Sequence, residues 1–298
     1  MMSLDKDFLR GSYPPIITPF KDGAVDYDTY QKLVEIQAKD SHGILVCGTT
    51  SEPSTLAVEE RKKLLEIAVA IAKGRKPIVA ATGSQSHAET VELTTHADKA
   101  GADALLIVTP YYIRPPQRGL VEYYADLGKR TQLPMMIYHI PGRAAVNVTV
   151  ETVAAICDRV PQLVGIKHAV NDLEFVTKCL DRFGMDFRIF VGLEELSYPM
   201  MAVGACGLMN AVGNVLPKKV SQLCERVFAG DMKGARDLHY ELFELNQAVF
   251  FDTNPIAIKY MMKKLGVIPR NEHRLPMVPA TKELEERLDG VLKRAKLL

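Results

Sequence analysis

The chain has 298 residues, 47% of them hydrophobic, which is enough for one large α/β domain or two small ones. Its 37 basic and 36 acidic residues nearly cancel, so charge gives no reason to expect nucleic acid or an anionic membrane as a partner. No apolar run approaches the roughly 20 residues of a membrane span, and the charged N-terminus lacks a signal-peptide core. The five cysteines form no C-x-x-C pair and no cluster with metal-ligand spacing, which fits a cytoplasmic protein.

Short apolar, β-branched runs recur along the chain, and each is followed by an amphipathic stretch. The runs centre near Ile16, Leu45, Val79, Leu106, Ile137, Gly165, Ile189 and Leu208, at the spacing of βα units. Helices are predicted over Tyr27–Lys39 and Val58–Ala72, from a capping box that opens at Ser86, and over Asp172–Leu180. Strands that alternate with helices predict parallel pairing through crossover connections.

The last part of the chain has helical patterns only. They cover Met232–Phe250, Pro255–Leu265 and Lys282–Leu297. We therefore predict an α/β fold, a (β/α)8 TIM barrel over residues 1–229 with a C-terminal helical extension over residues 230–298. An open doubly wound sheet would need a G-x-G-x-x-G turn after its first strand, and the chain has Thr18-Pro-Phe-Lys-Asp-Gly23 there.

Lys167 ends the apolar run Leu163-Val-Gly-Ile, at the C-terminal tip of the predicted sixth strand. By itself it could be a lysine that ends a strand and extends to water. Partial desolvation disfavours the ammonium form of a lysine, and a neutral amine attacks ketones to form Schiff bases. Barrel enzymes carry their chemistry at this end of the strands, so the other residues at the strand ends decide between the two interpretations.

Hydroxyl groups and glycines are predicted to gather around this lysine. The strand ends supply Thr49 and Thr50, Tyr111 and Tyr112, Tyr138 and His139, His168, Gly192, Met209 and Asn210. Each threonine could instead cap a segment, and each tyrosine could be a core or rim aromatic. The two histidines are better explained as structural. The joint placement of the hydroxyls around one lysine favours the reactive interpretation, and no carboxylate pair or serine triad competes for the site.

Four segments resemble the dihydrodipicolinate synthase/N-acetylneuraminate lyase family of class I aldolases. They are Gly48-Thr-Thr-Ser-Glu52, Val108-Thr-Pro-Tyr-Tyr-Ile-Arg-Pro115, Ile137-Tyr-His-Ile-Pro-Gly-Arg143 and Val164-Gly-Ile-Lys167. The resemblance runs from Tyr13 to the C-terminal helices. It implies catalysis through a Schiff base between Lys167 and pyruvate, with an aldehyde or oxo-acid as co-substrate and without a metal or organic cofactor.

The resemblance also implies residue roles. Tyr138 would relay protons, and Thr49 and Tyr112 would complete the relay, with Tyr112 reaching the neighbouring subunit's site. Thr50 would hold the pyruvate carboxylate, while Gly192 and Met209 would line the site through their backbones. A tyrosine beside the amine suits the proton transfers that Schiff-base formation requires. The shared tyrosine implies a homo-oligomer, and a dimer of dimers is usual among similar proteins.

Arg143 discriminates within the family. A guanidinium five residues beyond Tyr138 can bind a carboxylate with two hydrogen bonds. The synthases of the family carry arginine there for the carboxylate of L-aspartate 4-semialdehyde, and the sialic acid lyases do not. The resemblance therefore implies condensation of pyruvate with that semialdehyde to 4-hydroxy-tetrahydrodipicolinate, a step of lysine biosynthesis.

Several positions depart from the family pattern. Ser51 replaces a glycine, His139 an asparagine, His168 a glutamate, and Leu193-Glu194 a frequent Asp-Asp. They leave open an aldolase or dehydratase acting on a 2-keto-3-deoxy sugar acid or another hydroxy-oxo acid. A non-enzymatic oxo-acid-binding barrel is the third hypothesis, but binding alone needs no proton relay.

The lysine-feedback site of the family's bacterial synthases also differs in this chain. Positions of its serine and two histidines read Pro53, Val58 and Arg61, and its asparagine reads Gln85, although Glu89 and Tyr111 match. We expect weak or absent inhibition by lysine.

Overall fold

A computed structural model describes residues 2–298, and eight parallel strands in it form a barrel. In chain order they are β1 Gly11–Ser12, β2 Ile44–Val46, β3 Ile78–Ala81, β4 Ala104–Val108, β5 Met135–His139, β6 Leu163–His168, β7 Arg188–Val191 and β8 Gly207–Leu208. From β2 to β8 each strand pairs with the next, β1 pairs with β8, and an isolated bridge from Pro15 to Leu45 of β2 closes the ring. The predicted (β/α)8 barrel is confirmed.

The first strand lies earlier than the apolar run around Ile16 predicts. Pro14 and Pro15 have no N–H group, so this run cannot form a continuous ladder. The ladder to β8 instead begins at Gly11, and the Tyr13 N–H continues it to the Leu208 carbonyl. Beyond the prolines the Ile16 N–H donates to the Leu45 carbonyl. The segment therefore pairs with β8 before the prolines and with β2 after them.

The helices that hydrophobic periodicity and capping predict are observed within a few residues of the predicted bounds, and further helices lie between them. Their bounds are α1 Tyr27–Asp40, α2 Val58–Ala72, α3 His87–Ala100, α4 Gln117–Gly128, α5 Pro141–Ala144, α6 Val150–Arg159, α7 Leu173–Phe183, α8 Ser197–Ala202, α9 Pro217–Phe228, α10 Met232–Ala248, α11 Ile256–Lys264 and α12 Lys282–Arg294. Ser86 caps α3 by accepting from the Glu89 N–H, and Gly101 ends it at φ 90°. None of the helices in residues 2–298 is long and apolar enough to cross a membrane.

Alternation along the strands divides the core into two layers. Met136 and Tyr138 belong to the cluster inside the barrel, whereas Met135 and Ile137 pack against the surrounding helices. On β6, Ile166 packs on the helix side, so Lys167 points inward. Lys167 and Tyr138, which are register partners, therefore both face the barrel interior near the C-terminal ends of their strands.

The helices that follow residue 229 pack against the barrel. Helix α10 contacts α8 and α9, and α11 contacts the segment after β8. The turn before α11 reaches the C-terminal mouth, where Asn254 Nδ2 donates to Thr50 Oγ1 at 3.0 Å. The C-terminal segment therefore contributes to the mouth of the barrel.

Candidate active site

Lys167 and Tyr138 are direct partners in the register between β6 and β5. Lys167 is 3% exposed, and its Nζ lies 4.3 Å from the centre of the Tyr138 ring. The ring face carries partial negative charge, which favours a cation at this distance. Tyr138 OH lies 3.1 Å from Thr49 Oγ1. The lysine, the phenol and the threonine hydroxyl are therefore spatial neighbours at the mouth of the barrel.

Thr49 and Thr50 lie in a tight turn that follows β2. Cys47 and Glu52, on either side of it, have φ values of 58° and 57°, the left-handed region that costs L-residues energy. Between them, Ser51 needs no such conformation, and its hydroxyl donates to the Ile16 carbonyl at 2.5 Å. The serine therefore fastens the turn to the first strand segment, and its β-carbon adds no strain.

A buried charge cluster holds the far end of this turn. Glu52 Oε1 lies 2.7 Å from Lys259 Nζ of α11, and Glu52 Oε2 lies 3.2 Å from His273 Nδ1. The side chains of all three are at most 1% exposed. Burial lowers the pKa of Lys259, against the opposing attraction of Glu52. The ion pair connects the strained turn to the C-terminal segment.

Replacing Lys259 with methionine is expected to lower the free energy of unfolding by about 3–5 kcal/mol. The Glu52 carboxylate would stay buried without its ammonium partner, which costs more than the pair itself contributes. The measurement is urea unfolding followed by circular dichroism. Lys264→Met, on the same helix, removes an exposed pair with Asp289 and is expected to cost no more than about 1 kcal/mol. Equal losses in the two variants would contradict the prediction.

Asn254 connects the two residues predicted to bind substrate carboxylates. Its side-chain Nδ2 donates to Thr50 Oγ1 at 3.0 Å, and its carbonyl accepts from Arg143 Nη2 at 3.3 Å. Arg143 is exposed on α5, at the rim of the mouth. Asn254 also carries a buried Oδ1 that accepts no hydrogen bond from residues 2–298. An unpaired buried acceptor at a cavity wall marks a place where a ligand or water can donate.

A cavity of about 580 Å³ opens at this mouth, within the size range of small-molecule sites. Thr49, Tyr138, Arg143 and Asn254 line it. Lys167 does not line it directly; the amine lies against the Tyr138 ring, one layer beneath the wall. Tyr138 therefore contacts both the cavity and the amine.

Gly192 and Met209 lie deeper in the barrel mouth. A β-carbon at Gly192 would come within 3.0 Å of Lys167 Cε, so a side chain there would push against the lysine. Met209 is 1% exposed, and its N–H donates to the Val191 carbonyl at 2.9 Å. The structure therefore brings Gly192 directly to the lysine and places Met209 beside the neighbouring strand end.

Tyr112 is not brought to the site of its own chain. It is 89% exposed, lies after β4 and has φ of 71°. Ile113 beside it is 70% exposed. Two large apolar side chains thus extend into solvent from a strained loop in one chain.

The two histidines pair with each other outside the barrel wall. His139 Nδ1 and His168 Nδ1 are 3.2 Å apart, and His168 stacks on Phe175 of α7. His168 Nε2 lies 3.2 Å from the Asp172 carbonyl and donates there, and His139 Nε2 lies 2.6 Å from Asn147 Oδ1. Burial, reinforced by His139, lowers the pKa of His168 to about 4. The pair is therefore neutral near pH 7 and structural, as the sequence indicated.

Two further residues at the mouth escaped the sequence analysis as site residues. In the sequence, Asn254 belongs to no recognisable motif and is marked only by the proline that follows it. Glu194 had been noted only as a departure from the family pattern, yet it is 2% exposed and hydrogen-bonds the Ala211 N–H at 2.6 Å. Carboxyl groups are rarely buried without a partner, so the burial of Glu194 marks it as unusual. Hydrophobic periodicity in the sequence does not show that a polar residue is buried.

A buried lysine beside a phenol and an alcohol, at the C-terminal mouth of a (β/α)8 barrel, is the arrangement expected of an aldolase-type lyase. The comparisons with known proteins agree with that class. Residues 8–295 match the model of the Dihydrodipicolinate synthetase family, and the chain belongs to that family.

Relatives cover nearly the full chain. The 4-hydroxy-tetrahydrodipicolinate synthase of Thermus thermophilus is 43% identical over 291 residues, which are 97% of each chain. The crystal structure of dihydrodipicolinate synthase from Aquifex aeolicus is 38% identical, has a TM-score of 0.94 and covers 97% of this chain and 98% of its own. The crystal structure of a chloride-inhibited dihydrodipicolinate synthase from Acinetobacter baumannii, complexed with pyruvate, is 34% identical in sequence and has a TM-score of 0.93. The match covers 97% of this chain and 100% of that chain.

Proposed function

We propose that this enzyme condenses pyruvate with L-aspartate 4-semialdehyde to 4-hydroxy-tetrahydrodipicolinate, through a Schiff base on Lys167. The observation that carries the proposal is the contact of Lys167 Nζ with the Tyr138 ring, whose hydroxyl lies 3.1 Å from Thr49 Oγ1. The names of the relatives and the pyruvate complex of one of them support the substrates.

In the proposed reaction the Lys167 nitrogen adds to C2 of pyruvate and forms a carbinolamine. The former carbonyl oxygen leaves as water, which requires a proton at that oxygen; Tyr138, coupled to Thr49, is placed to deliver it. The resulting iminium withdraws electrons, so C3 loses a proton and attacks the aldehyde carbon of the second substrate. Thr50 would orient the pyruvate carboxylate, while Gly192 and Met209 leave room for it through their backbones.

Arg143 is the proposed anchor for the carboxylate of the semialdehyde. Its guanidinium lies at the cavity rim and uses Nη2 to reach the Asn254 carbonyl, which leaves other N–H donors for a ligand. Asn254 belongs to the proposed helical extension, residues 230–298, which would complete a site that the barrel, residues 1–229, mainly builds.

We also propose a homo-oligomer, a dimer of dimers, in the cytoplasm. A second copy that covers Tyr112 and Ile113 would remove two exposed apolar side chains from water and bring the Tyr112 hydroxyl to a neighbouring site. Five unpaired cysteines fit a reducing compartment. Sedimentation velocity tests the assembly, and a monomer at assay concentration would contradict it.

The test of the function is intact mass after the addition of pyruvate and borohydride, followed by rate measurements. Borohydride reduces a Schiff base to a stable amine, and the adduct is expected on Lys167. Turnover with L-aspartate 4-semialdehyde should exceed turnover with a panel of 2-keto-3-deoxy sugar acids. An adduct combined with a preference for a sugar acid would retain the chemistry and replace the second substrate. The absence of an adduct would leave an oxo-acid-binding barrel.

Lysine is expected to inhibit this enzyme weakly or not at all. Arg61, 4% exposed, extends its guanidinium beside the cavity to Glu89 Oε1 at 3.0 Å and to the carbonyls of Ala81 and Gly83. This internal cation already satisfies Glu89, the matching acidic residue of the feedback site. The measurement is the initial rate at increasing lysine concentration, with the coupling enzyme checked separately. Inhibition at micromolar lysine would refute the prediction.

A further inference from the structure

Asn254 contacts both residues that are proposed to hold substrate carboxylates. It lies just before α11, is 8% exposed, and its side-chain Nδ2 donates to Thr50 Oγ1 at 3.0 Å. Its backbone carbonyl accepts from Arg143 Nη2 at 3.3 Å. The side chain therefore acts on the proposed pyruvate anchor, and the backbone acts on the proposed semialdehyde anchor.

The segment that carries Asn254 is fixed against the turn that carries Thr50. Lys259, in the first turns of α11, forms the buried ion pair with Glu52 at the end of the same turn. The Ile256 N–H donates to the Thr253 carbonyl at 2.9 Å, which holds the chain between Asn254 and the helix. The amide is therefore held in place against the Thr50 hydroxyl.

The Thr50 hydroxyl has one proton to donate and two lone pairs that can accept. Thr50 is 1% exposed, and among the hydrogen bonds within residues 2–298 its hydroxyl takes part only in the one from Asn254 Nδ2. An N–H group donates and cannot accept, so the Thr50 proton points away from Asn254. It remains available for another acceptor.

The orientation of the amide follows from what each of its ends would lack. As observed, Nδ2 donates, and the buried Oδ1 accepts no hydrogen bond from residues 2–298. The reverse orientation would pair Oδ1 with Thr50 and leave a buried N–H group without an acceptor. Among backbone groups, buried N–H donors without an acceptor are rarer than under-satisfied carbonyl oxygens, and the amide has the same two kinds of group. The observed orientation is therefore favoured.

We propose that Asn254 is a positioning residue that directs the Thr50 hydroxyl proton toward the carboxylate of bound pyruvate, an inference that rests on the proposed function. Because the amide donates to Thr50 Oγ1, the hydroxyl cannot spend its proton on Asn254. It donates instead to a carboxylate oxygen of pyruvate, and such a charge-assisted hydrogen bond is stronger than a neutral one. The segment before α11 thus sets the direction of a hydrogen bond inside the barrel.

The test replaces Asn254 with aspartate, which has nearly the same shape, and uses the full chain with pyruvate alone. The adduct yield after borohydride treatment at increasing pyruvate gives the half-saturating concentration, for the variant and for the wild type. The ratio of the two concentrations is followed from about pH 6 to 9. Other charged or titratable groups joined by contacts around the site titrate in both proteins, so the ratio removes their effect; they are Arg143, Glu52, Lys259, His273, Tyr138 and Lys167.

The ratio is expected to rise with pH. A protonated aspartate donates to Thr50 as the amide does, whereas a carboxylate accepts the Thr50 proton and takes it from pyruvate. Burial raises the pKa of a carboxyl group, and above that pKa the carboxylate form prevails. Half-saturation should then require about tenfold more pyruvate or higher, the effect of losing one hydrogen bond to a charged group.

Two further variants control the experiment. In a Thr50→Val background there is no hydroxyl to turn, so Asn254→Asp should cause a much smaller change there. Asp252→Asn, at an exposed position, keeps an acceptor for the Thr253 N–H and should leave the wild-type value. Circular dichroism checks that each variant is folded.

Two results would overturn the positioning role alone: a ratio that stays constant across the pH range, or an equal loss with and without the Thr50 hydroxyl. The second would show that the aspartate acts only through its charge. A folded wild-type enzyme that forms no pyruvate adduct would instead overturn the proposed function and this inference with it.

Discussion

Replacing Lys167 with methionine is expected to abolish both the pyruvate adduct and turnover. Methionine fills similar space in the barrel, so the variant should fold, but it has no nucleophilic nitrogen to bond to C2. No other buried lysine among the described residues lies at this site, because Lys259 is bound to Glu52. The measurements are intact mass after borohydride treatment and the rate with both substrates.

The matched control is Lys178→Met, on the helix that follows the same strand. Lys178 is exposed and pairs with Glu174, so its loss should change neither the adduct nor the rate. An adduct of normal yield in Lys167→Met, mapped to another lysine, would show that the nucleophile has been misassigned.

Replacing Tyr138 with phenylalanine is expected to slow turnover by about 10²–10⁴-fold, the range for loss of a general acid–base group. The ring that packs against Lys167 is retained, while the hydroxyl that lies 3.1 Å from Thr49 Oγ1 is lost. Carbinolamine dehydration should become slow, so the adduct should form late but reach its normal extent. Single-turnover trapping at increasing times separates slow formation from lost binding.

Thr49→Val provides the control for that prediction. It removes the partner hydroxyl, keeps the shape of the side chain and should have a smaller effect than the loss of the phenol. If the two hydroxyls act as one relay, the double variant should be little slower than Tyr138→Phe. A Tyr138→Phe enzyme with an unchanged rate would remove the relay from the mechanism.

The order of strands and helices could be predicted from the sequence, because it depends on local periodicity and capping. The Ser86 cap and the Gly101 helix end are formed by neighbouring residues, and both are observed. The first strand was placed too late for an equally local reason, the missing N–H groups of Pro14 and Pro15.

The lysine, tyrosine and threonine at the strand ends could be predicted for the same reason. Parallel strands in a barrel bring their C-terminal ends to one mouth, so Thr49, Tyr138 and Lys167 had to converge once the strands were assigned. Their mutual distances required the structure, because side-chain packing fixes those distances.

The sequence by itself therefore determined the barrel, its order of elements and the residues at its mouth. Only the tertiary structure decided which buried charges pair, because Glu52 and Lys259 are 207 positions apart, and Asn254 and Thr50 are 204 apart. Neither periodicity nor a local motif carries information over such separations. Burial decided the rest: it removes the Glu194 carboxyl from water and raises its pKa to about 7, because the protein interior disfavours the charged form.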